Sequence, residues 1–373
     1  MRYVPALDGL RAIAVFGVLI SHYQFSGSLK FLADILPWGQ IGVRFFFVLS
    51  GFLITSILIN CRNLSEKEGL SPSLLLRQFY YRRFLRIFPL YYAVIFFAYI
   101  LDVGNIREVA LFHIFYLSNT SSALTGTLAG YPPLIDATTA HFWSLAVEEQ
   151  FYLFWPFMVL FISRKKLPNL LIFIIILAPL LRLLWFILGY QFMYSYLPLC
   201  VDTLGLGAFL ALYRNGEFQG LLRRPIILKY IFYFSLIMLL GTFMLHALNI
   251  WYRPKIIVMD FFEGVVFTFL INCILTGRFK KLNSLLENRS LRYIGTISYG
   301  IYILHAFVPH IIHRVFSIEQ NHSLNMFLVN TTVTILIAAV TYKVYENPLN
   351  KLKKNYPYDY RRSYYQMGNV MER

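Results

Sequence analysis

Long apolar stretches separated by short polar segments run through the whole chain. In windows of about 19 residues these stretches predict membrane-spanning helices. The predicted spans lie near residues 9–26, 40–60, 86–103, 142–163, 168–188, 196–213, 228–247, 256–276, 296–316 and 325–346. A shorter apolar piece at 107–118 is too brief to cross a bilayer, so we expect it at the interface or as a re-entrant element. The pattern predicts an all-α polytopic membrane protein of about ten transmembrane helices around a polar seam.

The distribution of charge orients these helices in the membrane. The 373 residues are 58% hydrophobic and only 14% charged, unlike a soluble globular chain, and the net charge is +16. Most of the 34 Lys and Arg residues lie on the side of the N-terminus, whereas the other side holds only Lys30, Arg107, Arg253, Lys255 and Arg314. By the positive-inside rule both termini are cytoplasmic. Topology accounts for the positive charge, so we expect no nucleic-acid partner.

The two ends of the chain need separate interpretations. The first apolar run resembles a signal peptide, but Asp8 and Arg11 stand at its start and no small-residue cleavage pattern follows, which favours an uncleaved helix. We divide the chain into an integral-membrane domain, 1–350, and a basic, flexible cytoplasmic tail near the lipid surface, 351–373.

The cysteines fit neither a metal site nor a disulfide framework, because they are scattered: Cys61, Cys200 and Cys273. We expect no metal.

Two ionisable residues lie in the first predicted span, where they are costly unless they face a cavity or pathway. Arg11 and His22 are eleven residues apart, which on a helix is about 20° beyond three turns and about 16 Å of rise. Both side chains therefore point the same way, Arg11 near the inner leaflet and His22 near the outer one. In the alternative interpretation, Arg11 extends to cytoplasmic headgroups and His22 only hydrogen-bonds a neighbouring helix.

The segment HFWSLAVEEQFYLFWP carries two adjacent carboxylates in a predicted span that enters from the outside. Glu148 lies at a depth similar to that of His22, so we expect the two side chains to meet. A carboxylate beside an imidazole fixes its tautomer and favours a general base near neutral pH. Glu149 should face elsewhere, toward another polar helix. The alternative is a structural network of Glu148, Trp143 and Ser144.

Three arginines cluster at the cytoplasmic end of the third predicted span, in RQFYYRRFLRIFPLYY: Arg82, Arg83 and Arg86. Their guanidinium groups suit the phosphates of a soluble cofactor, although topology and anionic lipid are the simpler explanation of the charge alone. Glu346, at the inner end of the last span, is placed to pair with one of them. In FFFVLSGFLIT, the small step Ser50-Gly51 allows close helix approach or leaves room for a thin ligand.

Further polar side chains lie in the later spans. Tyr302 and His305 share one helical face in ISYGIYILHAF. Together with Ser298 they either line a polar channel or form hydrogen bonds across helices. Near the outer ends of neighbouring spans, Arg182 and Asp202 are placed to neutralise each other.

Taken together, these segments resemble the acyltransferase-3 family of integral-membrane acyltransferases, which modify surface polysaccharides and other glycans. The resemblance runs from about Tyr3 to Leu349. It rests on motifs in the family's order: LDGLRAIAV with Arg11 and His22 at R-x10-H spacing, FFFVLSGFLI, RRFLRIFPLYY, FWSLAVEEQFYLFWP, VDTLGLGAFLA, SYGIYILHAF and YENPL. Some members carry a fused SGNH-type domain. This sequence ends soon after its last predicted span, so we expect direct transfer or transfer to a separate protein.

The resemblance implies a membrane-bound O-acyltransferase of the bacterial inner membrane. The acyl group would move from cytoplasmic acyl-CoA, with acetyl-CoA the commonest donor in the family, to a sugar hydroxyl of an exported glycan or lipid-linked saccharide. The hypothesis assigns the catalytic site to His22 as general base, Glu148 as its orienting group, and Arg11, which contacts the cofactor arm or, together with Asp8, holds the seam open. An acyl-His or acyl-Ser intermediate stays open.

The other candidate residues fall into two sets under this hypothesis. The donor's phosphates and arm would contact Arg82, Arg83, Arg86 and Ser50. The substrate-binding set is Trp143, Ser144, Tyr302, His305 and Asp8, with Trp143 offering a face for sugar stacking. The outside segment 119–141, rich in small residues, Thr and Pro, is where we expect acceptor specificity.

Two other classes of function compete with the enzyme. A transporter or flippase for a lipid-linked saccharide also needs ionisable residues in a seam, but such folds often show internal repeats, and none is visible here. A membrane sensor or scaffold without catalysis is the third class. Acceptor-dependent release of CoA distinguishes the enzyme from both. The sequence leaves the acceptor sugar, the acyl group and the oligomeric state open.

Overall fold

The computed structural model describes residues 3–24, 26, 30–120, 136–189, 195–248 and 255–358. Within these ranges the regular elements are helices: α1 Pro5–Tyr23, α2 Lys30–Asp34, α3 Trp38–Glu68, α4 Pro72–Leu101, α5 Ile106–Ile114, α6 Ala137–Ala140, α7 Phe142–Phe161, α8 Leu167–Ile187, α9 Leu197–Arg214, α10 Pro225–Ala247, α11 Lys255–Leu275, α12 Lys280–Leu286, α13 Arg289–Thr296, α14 Ser298–Leu304, α15 Val308–Phe316, α16 Leu324–Thr341 and α17 Asn347–Lys351. Tyr342–Glu346 is a π-helical turn, and Gly220–Arg223 and Leu352–Asn355 are 3₁₀ turns. The predicted all-α class is confirmed.

Eight helical segments of the described chain are long and apolar enough to cross a membrane. They are α1, α3, α4, α8, α9, α10, α11 and the run from Leu324 to Asn355 that begins with α16. The chain is therefore a multi-pass membrane protein. Of the other two predicted spans, α7 has 20 residues but carries two glutamates. The short apolar piece near 107–118 forms the nine-residue α5, which is too short to span.

The prediction of one continuous span over 296–316 is wrong, because the helix breaks between α14 and α15. Pro309 lies in the first turn of α15. A proline has no N–H to donate to the carbonyl four residues earlier, and its ring clashes with that carbonyl. The freed carbonyl oxygen of His305 instead accepts a hydrogen bond from the Tyr23 hydroxyl at 2.7 Å. The break therefore ties α14 to the end of α1, next to His22.

The centre of the bundle is α3, which packs against α1, α7, α9 and α11. It is largely buried, whereas α8 and α10 expose most of their apolar residues at the periphery. Glycines bring α3 and α9 together: a Cβ on Gly51 would lie 1.9 Å from the carbonyl oxygen of Leu204, and one on Gly207 would lie 1.9 Å from that of Val48. The close approach predicted at Ser50-Gly51 is confirmed.

Candidate active site

A cavity of about 590 Å³ lies between α1, α3, α4, α7 and α14. It begins on the side where α1 starts and α3 ends, which is the cytoplasmic side by the distribution of Lys and Arg. Five cations line it: Arg11, Arg82, Arg83, Arg86 and Lys353. Three carboxylates line it as well: Asp8, Glu148 and Glu149. Apolar side chains of α3, including Leu49, Leu53 and Ile57, form its middle part. The inner end is formed by Ser144 and Tyr302.

The first helix contributes a compact polar cluster to the cavity wall. Arg11 forms an ion pair with Asp8 one helical turn earlier, and the Tyr3 hydroxyl donates to the same carboxylate. Because i, i+3 positions face the same side of a helix, the pair turns toward the cavity together. Asp8 is buried. The expected association of Arg11 with Asp8 is confirmed, whereas their roles toward a donor stay a prediction.

The two carboxylates of α7 surround one arginine of α4. Arg83 Nη2 lies 3.6 Å from Glu148 Oε2, and Arg83 Nε lies 3.6 Å from Glu149 Oε1. Its guanidinium carbon is 3.7 Å from the centre of the Tyr152 ring. Ser50 donates to Glu148 at 3.1 Å, and the Tyr152 hydroxyl donates to it as well. Arg83 is thus already neutralised, so it is the least available of the three arginines for a phosphate.

The predicted pairing of Glu148 with His22 is wrong. Within the described residues no hydrogen bond or ion pair joins them, since the carboxylate is engaged by Arg83, Ser50 and Tyr152. His22 instead lies beside His305, with 4.6 Å between the ring centres. Glu148 therefore organises the wall of the cavity in this structure, and His22 has a different neighbour.

Arg82 and Arg86 differ from Arg83 in having no carboxylate partner. Arg82 Nη1 donates to two main-chain carbonyls beyond α17. Arg86 lines the cavity and, in the described part of the chain, makes neither a hydrogen bond nor an ion pair. Among the described residues no ion pair within 4.0 Å joins Glu346 to one of these arginines, although the positive charge of Arg86 acts on the Glu346 carboxyl group at longer range. Glu346 is buried beside Gly300 instead.

Two hydroxyl groups close the inner end of the cavity. The Ser144 and Tyr302 hydroxyls are hydrogen-bonded to each other, and both also reach the main-chain oxygen of His141, at 3.2 Å and 3.0 Å. The Ser144 main-chain N–H also donates to this oxygen, at 3.4 Å, so both hydroxyls converge on one main-chain acceptor at the start of α7. Ser298 also lines the cavity. The prediction that Tyr302 and Ser298 line a polar passage is confirmed for the cavity, which ends at Tyr302.

Beyond that end lies a row of three histidines. The ring centre of His22 is 4.6 Å from that of His305, which is 4.7 Å from that of His141. His305 Nδ1 lies 2.6 Å from the carbonyl oxygen of Tyr302. A carbonyl can only accept, so Nδ1 carries the proton, and Nε2 is a buried acceptor that has no hydrogen-bond partner among the described residues. His305 is therefore the immediate neighbour of His22.

His22 itself is exposed at the outer end of α1 and does not line the cavity. Ser21 packs against Gly39 near the start of α3, where a glycine Cβ would lie 2.7 Å from Ser21 Oγ. The outermost cavity residue of α3, Val43, is four residues further in, which is about 6 Å of helix rise. The expected continuous passage to His22 is absent from the described structure. About one helical turn, filled by Tyr302 and His305, separates the two.

Several neighbours were not singled out from the sequence. His141 is the first residue of HFWSLAVEEQFYLFWP, in which the sequence-based prediction used the two glutamates but not the histidine. Tyr23 anchors the helix break through its hydroxyl group. Pro309, four residues after His305, could have located that break. Trp143 packs against Phe47 at 6.0 Å between ring centres, so its ring lies within the bundle, and its contact with a sugar stays a prediction. Residues 121–135 of the predicted specificity segment lie outside the described residues.

Comparison with known proteins agrees with this architecture. The acyltransferase-3 family model, described as an acyltransferase domain, matches residues 4–343. The chain is 30% identical over 370 residues to the peptidoglycan O-acetyltransferase OatA of Listeria monocytogenes, covering 94% of this chain and 56% of that protein. It is 30% identical over 376 residues to the putative peptidoglycan O-acetyltransferase YrhL of Bacillus subtilis, covering 93% of this chain and 55% of that protein.

A third relative is the O-acetyltransferase OatA of Staphylococcus aureus strain NCTC 8325, 28% identical over 371 residues, covering 94% of this chain and 58% of that protein. The chain thus spans somewhat more than half the length of the curated relatives it matches. No solved structure matches significantly. Because the family model covers nearly all of the described bundle, including both ends of α1 and most of the residues that line the cavity, the chain belongs to the acyltransferase-3 family.

Proposed function

We propose that this protein is a membrane O-acetyltransferase that takes an acetyl group from cytoplasmic acetyl-CoA and delivers it to a hydroxyl of a cell-envelope glycan. The membrane would be the bacterial cytoplasmic membrane, since the relatives come from bacteria. Two of those relatives are named for peptidoglycan O-acetylation, which makes a peptidoglycan sugar the leading acceptor. Transfer is either direct or passes to a separate protein.

The observation that carries the proposal is the graded lining of the cavity. Its cytoplasmic end holds cations without carboxylate partners, its middle is apolar, and its inner end presents two hydroxyls. An acyl-CoA has the same order of chemistry: a polyanionic nucleotide, a thin arm and an uncharged acyl group. Arginine forks suit the phosphates, and Ser50 borders the part of the cavity where the arm would pass.

His22 remains the proposed general base, now with His305 rather than Glu148 beside it. In the reaction the acceptor oxygen bonds to the thioester carbonyl carbon, the carbon–sulfur bond breaks, and the hydroxyl proton passes to a nitrogen of His22. The imidazolium then returns that proton to the leaving thiolate. His22 is exposed on the outer side, where a glycan can approach, and a neutral imidazole there can accept the hydroxyl proton.

The separation between the cavity and His22 sets a condition on this reaction. In this structure a donor would end below Tyr302, about one helical turn short of the imidazole. Only hydrogen bonds to Ser144 and to the His141 carbonyl hold the Tyr302 hydroxyl at the closed end. We propose that rotation of this ring connects the two sides when donor and acceptor are bound, which keeps water away from the thioester between turnovers.

The test is acceptor-dependent release of CoA by the purified protein in liposomes. Radiolabelled acetyl-CoA is supplied on the side of the Lys- and Arg-rich loops, and peptidoglycan fragments on the opposite side. Label should appear in the fragments together with one equivalent of free CoA. Movement of a saccharide across the membrane without CoA release would instead establish a transporter and overturn the proposal. Peptidoglycan fragments that stay unlabelled while another glycan is acetylated would change only the acceptor.

A further inference from the structure

Beyond its last long helix the chain turns back over the cytoplasmic end of the cavity. Helix α17 is followed by the 3₁₀ turn Leu352–Asn355, and two side chains of this region, Lys353 and Tyr358, line the cavity. We call residues 352–358 the C-terminal rim. From the sequence this segment was expected to begin a flexible tail near the lipid surface. Its described part is packed against α4 instead, while residues from 359 onward lie outside the described ranges.

Arg82 fixes the C-terminal rim to α4. Its Nη1 donates to the carbonyl oxygens of Lys353 and Tyr356, at 2.8 and 3.1 Å. Its guanidinium carbon lies 4.9 Å from the centre of the Tyr358 ring, and the Tyr81 and Tyr356 rings stack with their centres 4.7 Å apart. These contacts place a lysine and an aromatic ring at fixed positions on the cavity wall.

The charges lining the cavity do not cancel. Asp8 is paired with Arg11, and Glu148 and Glu149 with Arg83. Among the described residues, no carboxylate lies within ion-pair distance of the three other lining cations, which are Arg82, Arg86 and Lys353. The Lys353 ammonium donates only to the neutral Asn350 amide oxygen. Unneutralised cations around a cavity at the membrane boundary are costly unless an anion binds there.

We propose that the C-terminal rim is the nucleotide-binding part of the donor site, with Lys353 on a phosphate and Tyr358 offering its ring to the purine base. This inference rests on the proposed function for the identity of the donor. Lysine binds phosphate as a point charge beside the Arg82 fork, and an aromatic ring next to a guanidinium is a suitable stacking surface for a base. A phosphorylated lipid headgroup shares the phosphate chemistry but has no base to stack.

The experiment compares two adjacent lysines. Lys353→Gln removes the cavity-lining charge, whereas Lys354→Gln removes one charge from the same 3₁₀ turn, where the side chain is exposed and does not line the cavity. Binding of CoA and of pantetheine is measured on the full-length protein in phosphatidylcholine nanodiscs. Lys353→Gln should weaken CoA binding about ten-fold, because a charge-assisted hydrogen bond is lost. Lys354→Gln should leave it unchanged, and pantetheine binding should change in neither variant.

The aromatic ring is tested in the same assay. Tyr358→Phe keeps the ring and should bind CoA as the unaltered protein does, whereas Tyr358→Ala should weaken binding about five-fold or more. Equal weakening by Lys353→Gln and Lys354→Gln would show a general field effect and overturn the inference. Tighter CoA binding by Lys353→Gln would show that the rim blocks the site, which also overturns it.

Two further outcomes separate this inference from the proposed function. If the unaltered protein binds CoA and Lys353→Gln binds it equally well, the inference fails and the donor assignment stands. If the unaltered protein binds no CoA, the donor assignment and this inference both fail. In that case Lys353-dependent binding of phosphatidylglycerol, measured in nanodiscs that contain this lipid beside phosphatidylcholine, would identify the anion as a lipid headgroup.

Discussion

Two regions of the bundle hold arginines and carboxylates inside the membrane, and they use them in opposite ways. Between α3, α8, α9 and α11 lies a buried ion-pair network that consists of Gln40, Arg44, Arg182, Asp202 and Asp260. Arg182 binds Asp202 through two hydrogen bonds of 2.6 and 3.1 Å, and Arg44 binds Asp260 at 2.7 Å. These four side chains are at most 1% exposed, and no cavity separates them.

The cavity between α1, α3, α4 and α7 has the same residue types but an excess of cations. Arg82, Arg86 and Lys353 line open space with no carboxylate within 4.0 Å among the described residues, while in the ion-pair network each arginine has its own aspartate. A buried charge is tolerated when it is paired and hydrogen-bonded. An unpaired one facing a cavity indicates a ligand of opposite sign. Pairing, rather than the presence of charge, therefore distinguishes the structural region from the functional one.

The largest effect that this comparison predicts is on catalysis. His22→Ala should reduce acetyl transfer by about two to four powers of ten, the usual contribution of a general base, without changing the midpoint of thermal unfolding. Transfer of radiolabel from acetyl-CoA is the measurement. His313→Ala is the matched control, since His313 is exposed on α15 and contacts only the Ile318 carbonyl. An unchanged rate in His22→Ala would remove His22 from the mechanism.

The next effect concerns the ion-pair network. Asp202→Ala leaves Arg182 buried without its bidentate partner, and breaking such a pair should lower the free energy of unfolding by about 3–5 kcal/mol. Thermal unfolding in detergent measures the change. CoA affinity of the protein that remains folded should not change, because neither residue lines the cavity. Normal stability with weakened CoA binding would assign the network to the donor site and contradict the comparison.

The sequence predicted the Arg182–Asp202 pair of the network but not the partners of Glu148 and His22, and the reason is geometric. Arg182 and Asp202 lie on consecutive helices, which pack against each other, so similar depth was enough to place them together. His22 and Glu148 were also expected at similar depth, but they lie on helices that are not consecutive, and among the described residues no hydrogen bond or ion pair joins them. Depth follows from the distance along a span, whereas the direction in which a side chain points depends on how all the helices pack.

The two ends of the cavity differ in how far their structure could be predicted from the local sequence. The all-α class and most spans follow from the length of the apolar runs. The break after His305 could have been predicted from Pro309. The C-terminal rim could not, because a basic aromatic segment after a last span is equally compatible with binding to lipid headgroups. Its packing against Arg82 depends on a tertiary contact between residues 271 positions apart.

A smaller effect separates the arginines of α4. Arg86→Gln should raise the CoA concentration needed for half-maximal transfer about ten-fold, as expected for one lost charged hydrogen bond, and should leave unfolding unchanged. Arg83→Gln should affect both CoA binding and unfolding, because Glu148 and Glu149 then lose their cation. The requirement for acceptor should be unaffected by Arg86→Gln. Loss of stability in Arg86→Gln would show that Arg86 has a structural partner and would contradict its assignment to a ligand.

The smallest loss of stability is expected from removing an arginine–carboxylate ion pair that is exposed to solvent. On the cytoplasmic side Glu66 binds Arg164 at 2.8 Å and Arg62 at 2.9 Å, and its side chain is 47% exposed. Glu66→Gln should therefore lower the free energy of unfolding by only about 0.2–1 kcal/mol. The loss should shrink further when salt is raised, since exposed pairs are screened and buried ones are not.

Thermal unfolding of Glu66→Gln and Asp202→Ala at low and high salt checks both statements. The Asp202→Ala loss should be the larger and should not depend on salt. Equal losses in the two variants would mean that burial does not set the contribution of these pairs. In that case the absence of carboxylate partners around the cavity could no longer be used to infer an anionic ligand.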